Sequence, residues 1–244
     1  MKTEDTAWEP WTAEGKPIYA VRPLPAPVTT PLAAENAVWR ETDSIKVASV
    51  LDAGIEAPNA NTHRPRVEVR MRYDDHAVYV YFQVDDRYVR TIETKPHGKV
   101  WEDACVEFFV QPLSERGYIN FEVNSGGTML ASYHEHPSWT GVELTKGGRL
   151  PEERYSRVQI LASLPKTVEP ENPNFVAWSI AYRIPLSVFE DYLGPLGPLS
   201  GKTWRANFYK CAENNSHPHW ISWSTIVEGQ DFHAPRWFGV LNFT

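Results

Sequence analysis

The strongest constraint on this chain is an alternation of apolar and polar side chains that recurs from residue 67 to its last residues. Val67, Val69, Met71 and Tyr73 alternate with Glu68, Arg70 and Arg72, the period-two pattern of a half-buried strand. Asp74-Asp75-His76 supplies a turn, and Ala77–Val84 returns as the second arm of a hairpin. Further strands are expected over Ala104–Val110, Gly117–Asn124, Thr128–Tyr133, Arg154–Leu161, Ala177–Ile184, Trp204–Lys210, His219–Ser224 and Gly239–Phe243, with a loop over Pro165–Pro173. One short helix fits, Pro185–Leu193, stopped by Gly194-Pro195. Amphipathic helices do not alternate with the strands, which excludes a parallel α/β fold. The expected class is all-β, a sandwich or barrel.

At 244 residues the chain suits one large domain. Pro17, Pro23, Pro25, Pro27 and Pro31 crowd residues 1–35, where they forbid a helix and disfavour a central strand. We expect an extended arm there, with an edge strand near Ile18–Val21. Trp8, Trp11 and Tyr19 would pack that arm on the body, residues 36–244. A net charge of −7, with no Lys/Arg run to offset it, argues against a nucleic-acid partner. No apolar run is long enough to span a bilayer. The first residues hold no apolar h-region, which suits a cytoplasmic chain or one whose signal has been removed. The 10 Trp and 11 Tyr point either to an aromatic-rich β core or to rings exposed for recognition. Cys105 and Cys211 show no metal-ligand spacing.

Four pieces resemble the family 9 carbohydrate-binding modules and their single-domain relatives. They are Ala77–Asp86, a strand running into an acidic turn; Val100-Trp101-Glu102-Asp103-Ala104-Cys105-Val106-Glu107-Phe108-Phe109; Tyr118–Asn124 with glycines behind it; and Trp220–Ser224 followed by Phe232–Leu241. They keep the family's order and span roughly residues 36–244, the second and fourth being the most specific. The resemblance implies a jelly-roll-like β-sandwich of two antiparallel sheets, often with bound calcium. It implies non-catalytic binding of an oligo- or polysaccharide, in the company of polysaccharide-degrading enzymes. No catalytic domain is attached here, so such enzymes would be separate proteins.

A pyranose has apolar C–H faces and a ring of hydroxyls. Aromatic rings cover the faces, and carboxylates, amides and guanidinium groups take the hydroxyls. By resemblance Trp101 is one platform ring. The second is Phe232, with Trp237 as the neighbouring alternative. Glu107 matches the family's acidic residue and Asn124 its amide, while Glu122 stands where better-known members have Arg. That substitution makes the pocket acceptor-rich. Arg205, Asn207 and Tyr209 alternate on one face of a later strand. Tyr209 falls where the family places a polar sugar contact, and Arg205 could neutralise Glu107 or Glu122. By the same alternation Cys105 and Cys211 lie under the pocket.

Other readings compete. A glycoside hydrolase needs two carboxylates roughly 5–10 Å apart across a glycosidic bond, and Glu107 with Glu122 are the candidates. Asp86 and Asp103 are the calcium candidates, since hard cations want several oxygens. The pairs His134-Glu135-His136 and His217-Pro218-His219 suggest zinc, but no third ligand is visible in the sequence. A haem-binding sandwich would need an axial Met/His pair, and neither Met71 nor Met129 has an evident partner.

Overall fold

The computed structural model describes residues 12–25, 33, 37–51, 63–135, 148–227 and 231–244. Trp8, Trp11 and His136 lie outside the described residues. In chain order the first elements are β1 (Ile18–Pro23), α1 (Ala37–Arg40), β2 (Ile45–Val47), β3 (Ser49–Val50), β4 (Arg66–Tyr73), β5 (Ala77–Asp86), β6 (Val89–Thr91), β7 (Cys105–Gln111), β8 (Tyr118–Asn124) and β9 (Met129–His134). They continue with β10 (Gly148–Arg149), α2 (Glu152–Tyr155), β11 (Gln159–Ala162), β12 (Val168–Asn172), β13 (Val176–Pro185), α3 (Leu186–Leu193), β14 (Thr203–Ala212), β15 (His219–Ser222) and β16 (Gly239–Phe243).

The alternating segments become strands where the sequence places them. The stretch expected as a strand from Arg154 does not. Glu152–Tyr155 forms a single helical turn, and pairing begins only at Gln159, opposite Arg183. The Pro165–Pro173 loop likewise contains a short strand, β12, paired with β6. The expected helix is α3, and Gly194 ends it in the left-handed region at φ 80, a conformation open to glycine.

The strands stack as a β-sandwich. The path runs β10-β9-β8-β7-β14-β16 in one layer, crosses through β1, and continues β4-β5-β13-β11 in the other. The N-terminal strand is therefore not an edge strand. Ile18–Val21 pair in parallel with Val240–Phe243, and Arg22–Pro23 pair in parallel with Arg72–Tyr73. These parallel seams depart from the all-antiparallel expectation. Pro17 and Pro23, which lack an N–H, stand just before β1 and at its end, where they remove little from the ladder. Gly239 fits the seam because a Cβ there would come within 2.7 Å of the Trp223 ring and 2.9 Å of the Pro17 carbonyl.

Between the layers, Val106, Phe108, Val110, Phe121 and Phe208 meet Val69, Met71, Val80, Phe82 and Ile180. Phe208 stacks on Phe108 at 5.1 Å and meets Phe82 edge-on at 6.0 Å. Each such ring contributes about 1.5–3 kcal/mol by leaving water. Met71 and Met129 belong to this core. One ion pair joins the layers. Lys210 of β14 reaches Asp86 of β5 at 3.4 Å, and both side chains are almost wholly buried. No helix of the described residues is long and apolar enough to cross a membrane.

All seven residues of β7 are buried, as are all seven of β8. Alternation sends Val106, Phe108 and Val110 into the core. It leaves Cys105, Glu107 and Phe109 on the outer face, where loops cover them. That covered outer face carries the site.

Candidate functional site

The outer face of β7, β8, β9 and β14 is the floor of a cavity of about 490 Å3. Volumes of roughly 300–1,000 Å3 are usual for small-molecule sites. The floor holds Glu107 and Phe109 from β7, Asn120 and Glu122 from β8, Leu130, Ser132 and His134 from β9, and Cys211 from β14. The sides are Trp101, Trp220 with Glu213, the segment Asp231-Phe232-His233, and Arg149 of β10.

Trp101 sits in a 3-10 turn, Val100–Glu102, and is half-buried. Val100 anchors the turn in the interior. The Trp101 carbonyl accepts the Glu213 N–H at 3.2 Å, and the Glu102 carbonyl accepts that of Asn214 at 2.9 Å. Asp103 locks the other side. Its carboxylate accepts the N–H groups of Ile92 (3.0 Å) and Glu93 (2.9 Å) and the Asn124 amide (2.8 Å). Asn124 also donates to the Glu93 carbonyl and accepts from the Thr128 N–H. Asp103 and Asn124 thus brace the Trp101 turn, and neither lines the cavity.

Glu107 and Glu122 are direct cross-strand partners, which places their Cβ atoms about 4.5–5.5 Å apart on one face. Both are nearly inaccessible, at 2% and 6% exposure. Cys211 donates its thiol to Glu107 Oε1 at 3.1 Å, and Asn120 Nδ2 donates to Glu122 Oε1 at 2.7 Å. Burial, the Cys211 sulfur and the Glu122 charge hold the Glu107 carboxyl well above the usual range. Burial pushes Glu122 up to about 7, against the lowering effect of the Asn120 amide. Two carboxyls this close do not both ionise freely, so the floor keeps a proton at neutral pH and can donate as well as accept. His134 Nε2 lies 3.0 Å from Asn120 Oδ1. Since that oxygen only accepts, Nε2 carries the hydrogen, and burial lowers the ring to about 3. The donor chain runs from His134 through Asn120 to Glu122.

Phe232 covers a third side, stacked on Tyr209 at 3.9 Å and 9° between planes. Tyr209 is fully buried and donates its hydroxyl to the Phe232 carbonyl at 3.0 Å. It supports the wall from behind and does not line the cavity. Trp237 is also absent from the lining, and lies under the Lys16 ammonium at 4.5 Å. Asn207 is committed elsewhere: its amide donates to the Ser224 carbonyl, and its oxygen accepts the Phe208 and Ser224 N–H groups. Arg205 pairs in register with Gln111, down the sheet from the acids, and donates to the Ser114 carbonyl at 3.1 Å. It does not neutralise Glu107 or Glu122. Of the sequence-derived set, Trp101, Glu107, Glu122 and Phe232 converge on the cavity. Trp220, which the sequence motif holds without marking it as a site residue, also lines the cavity. The signal was its place at the end of a strand opposite Cys211, legible only once the register is known.

Cys105 and Cys211 are opposite each other on paired strands and are not bridged. Burial pushes the Cys105 thiol up to about 12, so it stays protonated. Asp86 and Asp103 do not fit a calcium ion. Asp86 accepts from His63 at 2.8 Å and from the Arg87 N–H, and faces the Lys210 ammonium, while both oxygens of Asp103 already accept from the three N–H donors named above. His219 is neutral by burial and accepts from Lys210 at 2.7 Å, with its other nitrogen on the His217 carbonyl, which leaves it no lone pair for zinc. Glu107 and Glu122 stand side by side on the floor, whereas a glycosidase pair flanks the scissile bond.

The sequence model of a family described as carbohydrate-binding family 9 matches residues 45–243. Among curated proteins none matches. A solved structure of a candidate carbohydrate-binding protein from Bacteroides uniformis is similar at 27% identity and TM-score 0.79, covering 94% of this chain and 100% of that one. A family 9 module from Caldicellulosiruptor kristjanssonii in complex with glucose is similar at 16% identity and TM-score 0.59, over 93% of this chain and 96% of that one. The same organism's module in complex with cellotriose is similar at 14% identity and TM-score 0.59, over 93% and 94%. At such identities these last two speak to the shared fold.

Proposed function

Because the chain belongs to carbohydrate-binding family 9, we propose that it binds a saccharide in the cavity over β7, β8 and β14 without cutting it. One observation carries this reading: three half-buried rings, Trp101, Trp220 and Phe232, or their immediate supports, surround a polar floor built on Glu107 and Glu122. Rings on the sides take the C–H faces of a pyranose, and the floor takes its hydroxyls. The floor holds carboxyl oxygens, a retained proton and the Ser132 hydroxyl, so it can both donate and accept. Glucose and cellotriose, bound by similar modules, are the first ligands to try.

Two finer parts belong to the same reading. A jelly-roll-like connectivity is supported by membership of the family. Service beside separate glycan-degrading enzymes is supported by the company that family members usually keep.

Calorimetry with Trp101→Ala tests the site against glucose, cellotriose and xylo-oligosaccharides. The variant is expected to lose at least about tenfold in affinity, or about 1.4 kcal/mol, with its melting temperature nearly unchanged. Equal affinity of variant and wild type for a sugar that the wild type binds would overturn the assignment.

A further inference from the structure

Two buried carboxyls side by side are a costly floor for a cavity that receives only hydroxyl groups. Among the described residues, Oε2 of Glu107 and Oε2 of Glu122 receive no hydrogen bond. Glu213 and Asp231 add two more acids to the lining. Arg149 is the basic side chain present; it attracts the Glu122 charge from a distance, forms no close ion pair with any of the four among the described residues, and leaves the acids in the majority. His134 and His233 contribute no charge, because burial lowers them to about 3 and about 4. The cavity therefore has an excess of acceptors and of negative charge, enclosed by aromatic rings.

We propose that the preferred ligand is a saccharide bearing a protonated amine, a hexosamine with a free ammonium group. Its nitrogen sits against Glu107 and Glu122 while a ring face lies on the aromatic side. An ammonium offers three donors and no acceptor, the complement of this floor. Its charge lets both carboxyls ionise together, which a neutral hydroxyl cannot do. Exclusion of water strengthens the attraction relative to solution, and aromatic rings tolerate a cation against their faces. N-acetylation would remove the charge and two donors from the same nitrogen. The inference rests on the carbohydrate reading above and narrows it to a ligand class.

The test compares glucosamine, N-acetylglucosamine and glucose by calorimetry near neutral pH, where the amine is largely protonated and the floor can ionise against it. Glucosamine is expected to bind about tenfold or more tighter than glucose, with N-acetylglucosamine weaker than glucosamine. In Glu122→Gln and, separately, Glu107→Gln, the preference for glucosamine over glucose should collapse to within about twofold. Wild-type protein that binds glucose as tightly as glucosamine overturns the amine preference and leaves saccharide binding standing. A preference that persists in both variants also overturns it, because the two carboxyls would not be its source. Binding of none of these sugars, nor of cellotriose, overturns both readings. If neither variant folds, the wild-type ratio alone decides.

Discussion

Replacing Glu122 by Gln should make the unliganded protein more stable, and the gain should depend on pH in a defined way. Glu122 has an ordinary value of 4.5 that burial raises to about 7 in the folded state. For a carboxyl with a raised folded value, the folded state holds the proton longer than the unfolded one. Stability is unaffected below 4.5, falls as pH climbs from 4.5 to 7, and is level above that. At about 1.4 kcal/mol per pH unit, the window amounts to about 3 kcal/mol. Gln keeps the oxygen that accepts from Asn120 and cannot ionise, so it removes this loss. Glu107 gains too, because the Glu122 charge is one of the influences holding its proton on. Urea unfolding of both proteins across the pH range provides the measurement. Their stability difference should be small at pH 4.5 and reach about 3 kcal/mol or more in favour of Glu122→Gln above pH 7. The buried histidines titrate in both proteins and cancel in the difference. Parallel stability curves for the two proteins would refute the reasoning, and would mean that water reaches the Glu122 carboxyl in the folded state.

Lys210→Met should cost about 3–5 kcal/mol, since it leaves the Asp86 carboxylate buried without its ammonium; denaturant titration measures this, and a loss below about 1 kcal/mol would contradict the ion-pair account. Asp86 is held well below the usual carboxylate range, against its own burial, chiefly by Lys210 and His63. Its contribution should thus persist at neutral pH and fade only as pH falls below its ordinary 3.8. Phe232→Ala should weaken saccharide binding in calorimetry and cost about 0.5–1.5 kcal/mol from the lost Tyr209 stack, beyond the area term. A chelator should leave the melting temperature unchanged, because Asp86 and Asp103 are already satisfied; a fall on chelation would reinstate a bound cation.

Strands were legible where a long run has one face in the core and the other outside it; the three-residue β2 alternates in the same way but is too short to stand out. The run Val67–Tyr73 states its own period, and β4 follows it. Arg154–Leu161 misled because Tyr155 and Val158 pack on the core from a helical turn and a loop, so an apolar count without a partner strand read as a strand. The site was half legible. Glu107 and Glu122 were visible because a carboxylate in mid-strand is conspicuous. Their direct opposition was not, since register is set by pairing and does not follow from local sequence. Asn124, Asp103 and Asn207 look like ligand or metal groups by position. Each instead bonds backbone groups of loops, several of them distant in the chain. Trp220 and Trp237 look alike in sequence. Only the strand opposite Cys211 and the proximity of Lys16 separate a ring of the cavity from one outside it.

The crossing strand β1 also bears on how the molecule is made. Its residues are made well before those of β16, yet Ile18–Val21 pair with Val240–Phe243, and Val21 also receives the Thr244 N–H at 3.0 Å. That join cannot form until synthesis has passed Phe243. Up to that point the two sheets lack their shared strand, and β1 is held by its short pairing with β4 and by Tyr19, whose hydroxyl donates to the Asp43 carbonyl and accepts the Met71 N–H. Closure of the sandwich therefore waits for β16, more than 200 residues after β1 in the chain. A nascent chain stalled before β16 exposes two open sheet edges to its neighbours.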